Sequence, residues 1–125
     1  MGLTHKRVKV KETHKAEAER YVDFLIDSGA FHSLVPAGTL RELGIEPYRR
    51  LTFVLADGTK VERQVGDAYF EYQGEGGSAP VIFGESGDEP LLGATTLESL
   101  GLVLNPFQRE LYPARLMLAR TSPLA

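Results

Sequence analysis

The sequence predicts an all-β domain with one or two short helices, either a barrel or a sandwich. Three observations carry this. Short runs of alternating apolar and polar residues recur along the chain, the period of half-buried strands. Turn signals separate them at close intervals, drawn from 13 glycines, 7 prolines and scattered Asp and Asn. The length of 125 residues suits one domain, 1–125, and 42% hydrophobic residues suffice for a modest core.

Thr4 to Lys11 alternates apolar and basic residues and reads as a strand. Glu12 to Arg20 has helix-favouring Ala and Glu but no apolar stripe, so it reads as a loop or one irregular turn. Tyr21 to Ile26 and Ser33 to Val35 are strands. Pro36 suits a helix start, Leu40 and Leu43 lie at helical spacing, and Gly44 stops that helix. Arg49 to Ala56 alternates again, with Leu51, Phe53 and Leu55 on one face. Asp57-Gly58 is a two-residue hairpin signal, in which both central positions take positive φ.

Thr59 to Val65 returns as the partner strand, Gly66-Asp67 turns, and Ala68 to Tyr72 is the next strand. Gln73 to Gly77 is a glycine-rich connection, and Ala79 to Phe83 is a strand with Pro80 near its start. Gly84 to Glu89 is a polar loop. Leu91-Leu92-Gly93 is a short strand, Thr95 to Leu100 a helix ended by Gly101, and Leu102 to Leu104 is extended. Asn105-Pro106 turns, Glu110 to Ala119 is largely extended despite Pro113, and 120–125 is a loose tail.

The chemistry concentrates in Val22 to Pro36, V-D-F-L-I-D-S-G-A-F-H-S-L-V-P. Apolar Phe24-Leu25-Ile26 run into Asp27-Ser28-Gly29-Ala30, and Leu34-Val35 resume the pattern. A carboxylate at the end of a buried run is costly unless its surroundings satisfy it. Gly29 permits a sharp turn and a close approach, and the Ser28 hydroxyl can bond backbone groups. Alone, Asp-Ser-Gly is also an ordinary turn after a strand. A second stretch adds to it: Pro90-Leu91-Leu92-Gly93, followed by Ala94 to Leu102.

Together these stretches resemble the aspartic protease family. Its signature is an apolar strand, then Asp, Ser or Thr, Gly and usually Ala, with Ser or Thr shortly after; Asp27, Ser28, Gly29, Ala30 and Ser33 match it. Late in each lobe the family carries an apolar-apolar-Gly strand beside the catalytic loop, then a short helix. Leu91, Leu92 and Gly93 match that strand. The pattern Leu-Leu-Gly-x-x-x-Leu-Glu is similar to small microbial single-lobe homologues of retropepsin type.

The resemblance implies a retropepsin-like closed or partly open β-barrel and an aspartic endopeptidase. Asp27 would be catalytic, and Ser28, Gly29, Ala30 and Ser33 would support its loop. The chemistry needs two carboxylates around one water, and the motif occurs once here. The second Asp27 would therefore come from a second copy, in an isologous homodimer. By the same resemblance, Ser28 would bond across the two-fold axis; an ordinary turn hydroxyl is the plainer reading. The hairpin of Ala56, Asp57, Gly58 and Thr59 stands where the family has a flap over a peptide substrate, and a plain surface hairpin is the alternative.

Two departures bear on this. Retroviral members have acidic residues where Phe31 and His32 stand, so the cleft here should be more apolar. They have Arg where Ala94 stands, so a tie between interface loops is missing. His32 has two readings, a pH-sensitive contact or a packing residue. The departures keep a second function open: a catalytically silent peptide-binding or scaffold domain with the same fold.

The remaining sequence narrows the field. A net charge of −3 gives no electrostatic reason to expect nucleic acid, and Lys6, Arg7, Lys9 and Lys11 interleave with Val8 and Val10 as a solvated strand face would. Zero cysteines exclude disulfides and thiol catalysis, and His5, His14 and His32 lack metal-ligand spacing, so no metal and no cofactor is expected. No run is long enough to span a bilayer, so no membrane partner is expected. Met1 to Lys11 has no apolar stretch behind its charges, which makes the cytoplasm the expected compartment.

Overall fold

The computed structural model describes residues 3–114. Along the chain run β1 (His5–Lys11), β2 (Glu19–Ile26), β3 (Ser33–Pro36), α1 (Ala37–Glu42), β4 (Arg49–Val54) and β5 (Lys60–Tyr72). They are followed by β6 (Glu75–Gly84), β7 (Leu91–Leu92), α2 (Ala94–Leu100), β8 (Leu102–Asn105) and β9 (Glu110–Pro113).

The main sheet has the order β1-β2-β7-β3-β6-β5-β4, and β1 also pairs with β5. That extra pairing (Lys9↔Glu71, Val10↔Phe70, Lys11↔Tyr69) closes the six strands β1, β2, β7, β3, β6 and β5 into a ring. β4 stays outside the ring, paired with β5 as a hairpin. β8 and β9 form a separate two-stranded sheet.

Alternation decides which side of each strand faces in. Val8 and Val10 of β1 are fully buried, as are Phe24, Phe70, Phe83, Leu40 and Leu92, which form the centre of the core. Phe24 and Phe70 meet as a tilted pair with centroids 6.1 Å apart. On the outer face, Lys9 lies 3.5 Å from both Glu19 and Glu71. α2 packs inward through Thr96, Leu97 and Leu100 and ends at Gly101 with φ 68°, a left-handed cap that glycine adopts without strain.

Three turn expectations are corrected, two of them because a neighbour packs against a glycine. Gly66-Asp67 is not a turn: β5 runs unbroken from Lys60 to Tyr72. A Cβ at Gly66 would stand 2.9 Å from the Glu46 carbonyl oxygen and 3.1 Å from the Phe83 ring, so the glycine admits a close approach within a strand. Gly76 and Gly77 belong to β6 rather than to a connection, where they make room for the Tyr69 ring and the Ser99 carbonyl. The two-residue turn with both positions at positive φ is Gln73-Gly74, at 49° and 86°.

At Asp57-Gly58 the loop has three residues instead. Gly58 N–H donates to the Leu55 carbonyl and Leu55 N–H to the Thr59 carbonyl, with Gly58 alone of the loop at positive φ, 88°. That is a tight turn followed by a left-handed glycine, the usual three-residue hairpin. In the stretch expected to be extended from Glu110, β9 covers Glu110–Pro113. Residues 115–119 of it and the tail 120–125 lie outside the described residues.

Candidate active site

β2 delivers Asp27, and the loop after it is strapped to the segment entering α2. Leu25 and Ile26 pair in parallel with Leu91 and Leu92, and Leu34 pairs antiparallel with Leu91, so β7 lies between the two strands that flank the loop. Asp27 N–H donates to the Leu92 carbonyl at 2.9 Å, Ala94 N–H to Ala30 at 2.6 Å, and Thr95 N–H to Phe31 at 3.2 Å. Gly93 is required there: a Cβ would sit 2.5 Å from the His32 carbonyl oxygen and 2.8 Å from that of Ala30.

Ser33 is fully buried and holds the far end of the loop. Its hydroxyl accepts the Gly93 N–H at 2.9 Å and shares a hydrogen bond of 2.5 Å with the Thr96 hydroxyl. The loop is thus tied to β7 and α2 at five points, one of them between two buried hydroxyls. Buried polar groups with partners rigidify a structure, whereas unpaired ones are costly.

Asp27 itself is half-buried. Its Oδ1 accepts the Gly29 N–H at 2.9 Å, and its carbonyl accepts the Ala30 N–H at 3.1 Å. No ion pair among the described residues involves Asp27. One carboxylate oxygen is held by the loop's own backbone, and no cation among the described residues pairs with the group.

Two grooves flank the loop. One, of about 480 Å³, lies between it and the β4–β5 hairpin and is lined by Ala30, Phe31, His32, Leu34, Phe53 and Leu55, with Ile82, Glu89 and Leu91. The other, of about 280 Å³, lies beside exposed Ser28, against Ala94, Leu97, Glu98 and β8. The motif residues therefore divide: Phe31 and His32 face the first groove, Ser28 the second.

The hairpin tip does not line either groove. Ala56, Asp57, Gly58 and Thr59 are exposed, and Thr59 N–H donates to Asp57 Oδ1 at 2.8 Å, which holds the Asp57 carboxyl below its usual range. Phe53 and Leu55, lower on the hairpin, form the groove wall. Sequence reasoning grouped these two on one strand face without assigning them to the cleft. It also passed over Thr96, which looks like any helix residue, and Glu89, which looks like any loop charge.

His32 is half-buried between two rings. Its imidazole lies 4.8 Å from the Phe31 ring at 69° and 5.7 Å from the Phe53 ring at 86°. Burial, aided by nearby Arg49, pushes its pKa below the ordinary histidine value.

A closed ring of strands with a projecting hairpin, and a carboxylate loop braced by a late Leu-Leu-Gly strand and helix, is the retropepsin-like all-β fold. Among solved structures, the chain is similar to the EIAV protease complexed with the inhibitor HBY-793, at 18% identity over 94% of both chains with a TM-score of 0.59. It is also similar to the solution structure of the simian foamy virus (mac) protease, at 19% identity over 74% of this chain and 92% of that one, with a TM-score of 0.50. No family model matches the chain, and no curated protein does.

Proposed function

We propose that the protein is an aspartic-type endopeptidase acting as a homodimer, in which a water between two Asp27 carboxylates, one per subunit, hydrolyses a peptide bond. The observation that carries this reading is the setting of Asp27: half-buried, free of ion pairs among the described residues, and braced by backbone bonds beside an apolar groove. Asp88, by contrast, is committed to a salt bridge with Arg63 at 2.7 Å.

In the dyad, the ionised carboxylate takes a proton from the water as its oxygen attacks the scissile carbonyl carbon. The protonated one gives its proton to the carbonyl oxygen. Collapse of the tetrahedral intermediate breaks the C–N bond, and the nitrogen leaves with a proton from the dyad. Two close carboxylates cannot both ionise cheaply, so the pair holds one proton, and its titration belongs to the pair. An extended substrate would lie along the groove under the hairpin and bond its backbone by strand addition. The exposed Val103 and half-buried Leu104 on the Ser28 side of the loop support a subunit contact there.

Asp27→Asn tests this directly. Cleavage of a peptide library should be abolished, with the circular dichroism spectrum and thermal midpoint unchanged. Retained cleavage in that variant rules out the mechanism. Phe31, His32 and Ala94, which depart from the retroviral pattern, favour a second reading, a catalytically silent peptide-binding domain. A protein that stays monomeric at working concentration while binding peptide would support that reading, because a monomer cannot assemble the dyad.

A further inference from the structure

We propose that His32 sets which substrate side chain the larger groove accepts: neutral, it completes the wall for a large apolar side chain; protonated, it favours a side-chain carboxylate. This rests on the peptide-cleaving reading of the same groove.

His32 is the side chain through which the catalytic loop reaches the hairpin. It meets Phe53 of β4 edge-on and is itself flanked by Phe31, an arrangement that aromatic rings prefer. Apart from His32, the lining has one other ionisable group, Glu89, which is exposed and in no ion pair among the described residues. The charged groups around the imidazole are thus Arg49 on β4 and Glu89 on the loop before β7. β3, β6 and β7 contribute Leu34, Ile82 and Leu91, which carry no charge. A substrate side chain entering here is therefore read by the imidazole against an apolar background.

The sign follows from desolvation. An apolar side chain laid against the ring removes more water and favours the neutral form further; a carboxylate favours the charged form. Linkage is reciprocal, so protonation must weaken the apolar ligand and strengthen the acidic one by the same factors. Burial and Arg49 already hold His32 toward the neutral form, so the apolar preference rules at neutral pH and yields as the solution becomes acidic.

The test uses two blocked pentapeptides, Ala-Ala-Xaa-Ala-Ala with Phe or Glu at the centre. Their affinities are measured between about pH 5 and about pH 8 while the His32 ring protons are followed by NMR. The Phe peptide should lower the His32 titration midpoint and the Glu peptide should raise it. The Phe-to-Glu affinity ratio should fall by about tenfold toward the acid end. His32→Gln should flatten that ratio with pH, and His32→Phe should hold the Phe preference throughout. The proposal is overturned if the same swing persists in both variants, or if neither peptide moves the titration. These readouts need no turnover, so the aspartic mechanism fails separately, when Asp27→Asn still cleaves.

Discussion

Removing the buried hydroxyl of Ser33 should loosen the Asp27 loop more than any comparable change on the surface. Ser33→Ala leaves the Gly93 N–H without its acceptor, and Gly93 is buried. An unsatisfied buried donor costs about 1–3 kcal/mol. The Thr96 hydroxyl loses its partner as well, which adds about 1 kcal/mol. The total, about 2–4 kcal/mol, corresponds to roughly 6–15 °C in the thermal midpoint for a chain of this length. Thr96→Val should cost about 1 kcal/mol, because Ser33 keeps its bond from Gly93. Since one bond is removed by either change, the double variant should be about 1 kcal/mol less destabilised than the sum of the singles. Urea unfolding of the four proteins at one fixed protein concentration gives this cycle, the fixed concentration removing any contribution from association. A cost for Ser33→Ala below about 0.5 kcal/mol, or singles that simply add, would refute the claim that these hydroxyls brace the loop.

Two further outcomes are expected. Asp88 is held below the usual carboxylate range, chiefly by hydrogen bonds from the Arg63 guanidinium at 2.7 Å and 3.1 Å, so its contribution to stability is present above the unfolded-state pKa and is lost as pH falls through the folded value. Asp88→Asn should therefore lower the urea midpoint at neutral pH and make stability less acid-sensitive, and an unchanged acid dependence would contradict the assignment. Gly93→Ala should cost about 1–3 kcal/mol or more, because its Cβ would press on the His32 and Ala30 carbonyl oxygens, which are backbone and cannot swing aside. A variant with wild-type stability and wild-type amide shifts at 30–33 would show that the contact is not tight.

The residues of the candidate site were more legible in the sequence than the turns were. Asp27-Ser28-Gly29-Ala30 and Leu91-Leu92-Gly93 stand out because each joins an apolar strand to residue types that strands avoid. Gly66, Gly76 and Gly77 misled because a glycine in a turn and a glycine under a neighbour look alike in one dimension. The neighbours are Glu46 and Phe83 at Gly66, Tyr69 across the hairpin at Gly76, and Ser99 at Gly77, and only the folded chain brings them there. The pairing of Ser33 with Thr96, 63 residues apart, was invisible for the same reason. The division of the motif between two grooves could not be read either, because only the three-dimensional turn at Gly29 sends Ser28 one way and Phe31 the other.

The topology also separates what is held from what is free to move. The Asp27 loop hangs from β2 and β3, two strands inside the ring, and is braced on its far side by β7 and α2. β4, by contrast, pairs with β5 alone among the described strands, and its last residue Val54 and the following Leu55 are exposed. Segments with few buried contacts open at lower free energy than the core. The proposed peptide hydrolysis would use that asymmetry: carboxylates held to a fraction of an ångström, and a cover that lifts to admit a chain and release two. His32 sits at the joint between the two parts, on the braced loop and against Phe53 of the free strand. Amide hydrogen exchange should rank them accordingly, with Asp27 and Ala94 protected and the exposed end of β4 exchanging first. Uniform protection across loop and hairpin would mean that the hairpin is not a cover.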